Sequence, residues 1–297
     1  MRKLIALILI LLLSGCAAAA ADDIINIVPD EPVPETVPEA EPVLPEEEEI
    51  LYVVESSEWT DEALAEDGTQ LAVYRFELPM LQAVKGDGTV ITEPQSEAET
   101  QALSVIAAFN QKFGKWAAAE EFHEIVTWAE EHYAFVQTEG IEWHSPYTLE
   151  LDCTVYQTEH IISVSGTYYS YTGGAHPNTW QLGWNYDLET GEFFDPQLLG
   201  EGTELLDAVT AEIIRQAQIP SEDGFIPVEM YWEDYKDIIA NWPCYAVTFS
   251  EVGMDVVFSA YELAPYAAGP QEFHLPYEFL TPYLSEQGKV LLGITEN

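Results

Sequence analysis

The chain has 297 residues, 53 of them acidic and 9 basic, which gives a formal charge of −44 at neutral pH. A surface of this sign repels phosphate backbones and anionic headgroups, so it argues against nucleic acid as a partner and favours cations and basic proteins. The same charge also keeps an exported protein soluble, and part of it belongs to a segment ahead of the folded region.

Arg2 and Lys3 precede an apolar run over 4–13. That run is shorter than the roughly 20 residues a spanning helix requires and suits the apolar part of a secretory signal. Leu13-Ser14-Gly15-Cys16 resembles the bacterial lipoprotein processing site, where the cysteine is lipidated and becomes the first mature residue. Ordinary cleavage among Ala17 to Ala21, releasing a soluble secreted protein, is the alternative. Lipid chains add membrane affinity with each buried methylene, so the expectation is an extracytoplasmic protein held on a membrane by Cys16 without spanning it. Residues 1–16 are read as signal peptide and lipobox, whose loss takes Arg2 and Lys3 away and moves the formal charge to −46. Residues 17–49 are Pro- and Glu-rich and read as an extended, solvated stalk. A Pro-rich recognition motif is the sharper reading of the same stretch, but no arginine accompanies the prolines.

The folded region begins near Ile50. Runs over 50–55 and 70–81 alternate as strands, and Asp67-Gly68 and Asp87-Gly88 supply turn chemistry, which predicts a hairpin-rich start. Ser96 with Glu99 forms a capping box, and Leu103, Ile106, Ala107 and Phe113 follow at helical spacing, with Gly114 expected to break or kink the helix. A second amphipathic helix carries Phe122, Ile125, Val126, Ala129 and Tyr133 on one face. Strands are predicted over 147–157, 161–171 and 179–188, then a helix over 203–219 with Leu205, Leu206, Val209, Ile213 and Ile214 as its stripe. A shorter helix over 231–240, strands over 244–249, 254–261 and 272–275, and a terminal helix over 276–284 complete the pattern. Strands grouped before and after helices predict an α+β fold, mainly antiparallel sheet with packed helices, in which two modules, 50–172 and 173–297, share one sheet or fold separately.

Catalytic motifs are sparse. No GxSxG, Walker-type phosphate loop or HExxH occurs, and no cofactor motif is found. His123 and His132 lie nine residues apart on one helix, which places them on opposite faces. Asp187, Glu189 and Gly191 only faintly match a calcium loop and read better as a hairpin turn. With 53 acidic residues, no carboxylate pair can be singled out for glycosidic chemistry. After Cys16, the remaining Cys153 and Cys244 are either a candidate disulfide or two buried free thiols, and their spacing offers no zinc pattern.

One stretch, 161–191, has a composition suited to a site. Gly173, Gly174, His176 and Pro177 form a tight turn between two aromatic strands. His176 is a weak candidate for a general base or metal ligand, set against the plainer reading in which its ring bonds backbone and locks the connection. Tyr171, Trp180 and Trp184 flank the turn and are candidate ligand-binding residues together with Gly173, Gly174, His176 and Pro177, since exposed aromatics around a rigid loop suit binding hot spots. Alternation also sends some of these aromatics into the core.

The segments Tyr171-Thr-Gly-Gly-Ala-His-Pro177, Asn185-Tyr-Asp-Leu-Glu-Thr-Gly191, Phe258-Ser-Ala-Tyr-Glu-Leu-Ala-Pro-Tyr-Ala-Ala-Gly269 and Glu272-Phe-His-Leu-Pro276 resemble the extracytoplasmic domains of RsiV-type lysozyme-sensing anti-sigma factors. The same pair of modules resembles the non-catalytic N-terminal part of PdaC-type peptidoglycan deacetylases, with Ala108-Phe-Asn-Gln-Lys-Phe113 and the strands over 149–171 matching the first module. The resemblance covers about 50–284. It implies an extracytoplasmic recognition module at the cell envelope, binding a cationic lysozyme-like protein or peptidoglycan. A sigma-binding segment with a spanning helix, and a deacetylase domain with metal-binding Asp and His residues, are both expected to be missing. The expected function is therefore a non-catalytic surface lipoprotein; an envelope hydrolase or deacetylase centred on His176 and a structural spacer are the alternatives.

Overall fold

The computed structural model describes residues 49–118, 120–220 and 226–294; the expected leader, the expected lipidation site at Cys16 and all of the expected stalk except residue 49 lie outside them. The chain opens with β1 (Ile50–Leu64) and β2 (Gln70–Lys85), an antiparallel hairpin turned through Gly68. This is the expected hairpin, with both strands longer than the alternation alone indicated. Helices α1 (Glu97–Ala117) and α2 (Glu120–Glu139) then carry the chain back so that β3 (Tyr147–Gln157) pairs parallel with β2. The strands β4 (Ile161–Tyr171), β5 (Asn178–Asp187) and the two-residue β6 (Glu192–Phe193) add antiparallel neighbours, so one sheet runs β1 to β6 in chain order.

Ser96 caps α1 by accepting from the Glu99 amide at 3.1 Å, while the Glu99 carboxylate reaches back to the Gln95 amide at 2.6 Å. Glu99 is only 1% exposed and forms an ion pair with Lys85 on β2 at 2.6 Å, tying the first helical turn to the sheet. Two details of α1 differ from expectation. Its buried stripe is Ala102, Val105, Phe109 and Phe113 rather than Leu103 and Ala107, and the helix continues through Gly114 to Ala117. Gly114 costs a helix interior about 1 kcal/mol, and packing of Phe113 and Trp116 against the first core holds the helix through it.

After β6 come a 3₁₀ turn (Pro196–Leu199), α3 (Glu204–Gln216) and α4 (Tyr235–Ala240), then β7 (Ala246–Phe249), β8 (Gly253–Phe258) and β9 (Gln271–Pro276), an antiparallel three-stranded sheet. A one-turn helix α5 (Tyr277–Leu280) and a further helix α6 (Glu286–Leu291) end the described chain; α6 lies beyond the expected elements. The fold is α+β and mainly antiparallel, with β2–β3 as its parallel pair. The described residues form one compact unit.

Two cores follow from strand alternation. Even-numbered residues of β4 and β5 face α1 and α2, placing Ile162, Val164, Tyr168, Trp184 and Tyr186 with Phe109, Phe113 and Phe122. The second core lies between β7–β9 and α3, with Val247, Phe249, Val256 and Phe258 against Leu205, Val209 and Ile213. The sheets meet along β5 and β7. A Cβ on Gly183 would lie 2.6 Å from the Val247 oxygen, so only glycine permits this approach. Buried side chains join the backbones across the gap. Asn185 donates to the Val247 carbonyl at 2.9 Å, Ser163 donates to the Asn185 carbonyl oxygen at 2.8 Å, and the Phe249 amide donates to Ser163 at 2.7 Å. Among the described residues no helix is long and apolar enough to cross a membrane.

Candidate functional site

The turn between β4 and β5 holds its shape through backbone angles that favour glycine. Gly173 and Gly174 have φ of 88° and 97°, where any side chain is strained. The Tyr171 hydroxyl donates to the Gly174 carbonyl at 3.3 Å. His176 follows, exposed, with Nδ1 2.9 Å from the Pro177 carbonyl. A carbonyl only accepts, so Nδ1 is the donor in this contact. This contact ties the ring to the backbone of the turn, while its second nitrogen and a ring face meet other partners.

A distant loop supplies their partners. The segment between β8 and β9 brings the Tyr266 ring onto the His176 ring at 4.0 Å between centroids and 17° between planes. The Tyr261 hydroxyl stands 3.5 Å from His176 Nε2, and its ring lies 5.4 Å from that of Tyr266. Tyr261 is 52% exposed and has φ of 73°, a conformation otherwise taken only by glycine among the described residues. An aromatic residue there costs of order 1–3 kcal/mol, so its surroundings must hold it. Trp232 donates to the Tyr261 carbonyl through Nε1 at 3.1 Å and to the Leu263 carbonyl through its amide at 3.1 Å. Ser259 accepts from the Gln181 amide of β5 at 2.9 Å and donates its own amide to the Glu262 carboxylate. Burial raises the Glu262 carboxyl above the usual Glu value, partly offset by its hydrogen bonds from Ser259. Tyr169, on the same side of β4, is raised first by burial and then by the neighbouring Glu150, Tyr171 and Tyr266.

The structure brings together Tyr171, Gly173, Gly174, His176 and Pro177, and adds Tyr261 and Tyr266 from the other end of the chain. Trp180 and Trp184 lie elsewhere. Alternation along β5 turns both toward the helices, where Trp184 packs 5.2 Å from Phe113 and Trp180, 40% exposed, lies 5.8 Å from Tyr168. Tyr261 and Tyr266 belong to a stretch that carried the family resemblance, and that was the available signal; the positive φ of Tyr261 leaves no mark in sequence. His132 meets Tyr147 at 3.1 Å at the edge of the first core, and His123 is exposed. Cys153 and Cys244 are free thiols, the first half-buried beside the first core and the second exposed. Among the described residues no three His, Cys, Asp or Glu side chains are grouped to hold a metal ion. The site can stack against a flat or apolar group and exchange hydrogen bonds through Nε2 and two phenols.

Comparison with known proteins divides the chain at this site. The family model "Deacetylase PdaC" matches residues 89–179, ending just past the turn, and the model of the protein family of unknown function DUF3298 matches residues 197–278, which include Tyr261 and Tyr266. A DUF3298-family crystal structure from Bacteroides fragilis superposes with a TM-score of 0.60 at 15% identity, over 83% of this chain and 98% of that one, and shares the fold. A DUF3298-family structure from Pseudomonas aeruginosa gives a TM-score of 0.45 at 16% identity, over 80% of this chain and 96% of that one. No curated protein matches the chain. The chain thus carries a region similar to PdaC followed by a region similar to DUF3298, on a fold shared with a DUF3298-family structure.

Proposed function

We propose that this protein is a non-catalytic recognition module at the extracytoplasmic face of the cell envelope, anchored through Cys16, whose partner is a cationic lysozyme-like protein. The observation that carries the reading is the convergence of residues 171–177 and 258–269 on one surface, where Tyr261 is held exposed in a strained backbone beside the stacked His176 and Tyr266. Strain at an exposed aromatic is characteristic of contact and ligand sites, and rigid aromatic anchors dominate binding energy at interfaces. The formal charge of −46 left after processing at Cys16 supports a basic partner, because it speeds association and makes it salt-sensitive. The PdaC and DUF3298 matches and the sequence of residues 1–16 support placement at the envelope.

Calorimetric titration of the purified protein with lysozyme tests this. The reading requires saturable binding at low salt that weakens as salt is raised and weakens further in Tyr261→Ala and Tyr266→Ala. Undetectable binding at low salt, or binding indifferent to both substitutions, would overturn it.

A further inference from the structure

A second site lies on the other side of β5 from the helices, separate from the His176 surface. The odd-numbered residues of β4 and the outer face of β7–β9 enclose a cleft of about 430 Å³, within the rough 300–1,000 Å³ range of small-molecule sites. Its wall on the larger sheet carries Thr154, Tyr156, Ser165 and Gln181, and its opposite wall carries Thr248, Asp255, Val257 and Glu272. Strand register explains the pairing: Ser165 lies across from Thr154 and Gly183, and Val257 from Glu272.

The polar groups of this cleft are largely uncommitted. Among the described residues the side chains of Thr154, Ser165, Thr248 and Glu272 make no hydrogen bond within the protein. Gln181 accepts from Thr167 at 3.1 Å through its oxygen, leaving its amide N–H groups available. Asp255 meets His274 at 2.6 Å through one oxygen and keeps the other. Hydroxyls that both donate and accept, an amide donor and two carboxylate acceptors are the inventory that matches a polyhydroxylated ligand. Tyr156 and Val257 supply apolar surface for the C–H face of a ring. No Lys or Arg lines the cleft, and two carboxylates do, so phosphate and other anions are disfavoured.

The geometry points to this cleft as a binding site for a neutral saccharide. The inference goes beyond the protein–protein reading above and does not depend on it. Titration of the ¹⁵N-labelled full chain with maltotriose and with chitotriose, followed by amide shifts, tests it, with spermidine and inorganic phosphate as the competing chemistries. The expected result is saturable shifts at Ser165, Gln181, Thr248 and Val257 with at least one of the two oligosaccharides. Affinity should fall about tenfold in Ser165→Val and in the exposed Glu272→Gln, the size of one lost hydrogen bond to a polar or charged group. The inference is overturned if neither oligosaccharide gives saturable shifts, if only spermidine does, or if both variants bind as the parent does while keeping dispersed spectra. Shifts gathered at 173–177 and 261–266 would overturn it too, by placing the sugar on the other surface. Because the readouts sit at different residues, loss of lysozyme binding and loss of saccharide binding are told apart.

Discussion

The His176 ring lies on the Tyr266 ring at 4.0 Å and 17°, ninety positions apart in the chain, and joins the end of the PdaC match to the DUF3298 match. Everything proposed for this surface depends on that contact being built in, and its surroundings make separate predictions.

Tyr261 holds φ at 73° with 52% of its surface exposed. Glycine takes that conformation without strain, whereas alanine does not, and both substitutions forfeit the buried half of the ring. Tyr261→Gly should therefore cost about 1 kcal/mol less stability than Tyr261→Ala in urea unfolding, while both weaken partner binding. Equal losses in the two variants would contradict a strained backbone at this position.

The seam between the sheets rests on Asn185. Asn185→Ala leaves the Val247 carbonyl and the Ser163 hydroxyl buried without their partner. A cost of roughly 2–4 kcal/mol is expected in urea unfolding. Thr167→Ala, which removes a half-buried bond to Gln181 on the same pair of strands, should cost no more than about 1 kcal/mol.

Glu262 predicts a pH dependence. Burial is the larger influence and raises its carboxyl above the usual 4.5. The fold thus favours the protonated form, and the stability this group contributes is fully present below the unfolded value and lost as pH rises through the raised folded value. Glu262→Gln keeps an acceptor for Ser259 without the charge. Thermal unfolding should show the variant more stable than the parent at neutral pH, with the difference shrinking toward pH 4.5 and below. A constant difference across that range would contradict the assignment.

Burial, aided by Asp152 and Glu77, pushes the Cys153 thiol up to about 12, while Cys244 is exposed. Iodoacetamide at mildly alkaline pH should label Cys244 far faster than Cys153 in the folded protein, as read by peptide mass spectrometry, and at comparable rates in urea. Absence of labelling at both in the folded protein, reversed by reductant, would show a disulfide instead.

Local structure was legible in the chain wherever a period was long and unbroken. The strands Tyr147–Gln157 and Ile161–Tyr171 fall where their alternation placed them, and the stripe of α3 is the predicted one. The helix runs through Gly114 because Phe113 and Trp116 pack against the first core, a tertiary effect that local propensity does not contain. The turn at Gly173 to Pro177 could be found from its glycines and proline, but its partners could not. Tyr261 and Tyr266 reach His176 through the approach of β7 to Gly183, a long-range contact with no local pattern. Trp180 and Trp184 are near the turn in sequence, but the period-two alternation of β5 sends them to the helix side.

Hydrogen exchange on the full chain, with and without saturating lysozyme at low salt, tests the central claim most directly. The account predicts slowed exchange concentrated in 171–177 and 258–269, with little change along α1 and α2. Binding that leaves both segments unprotected, or that protects only the helices, would contradict it.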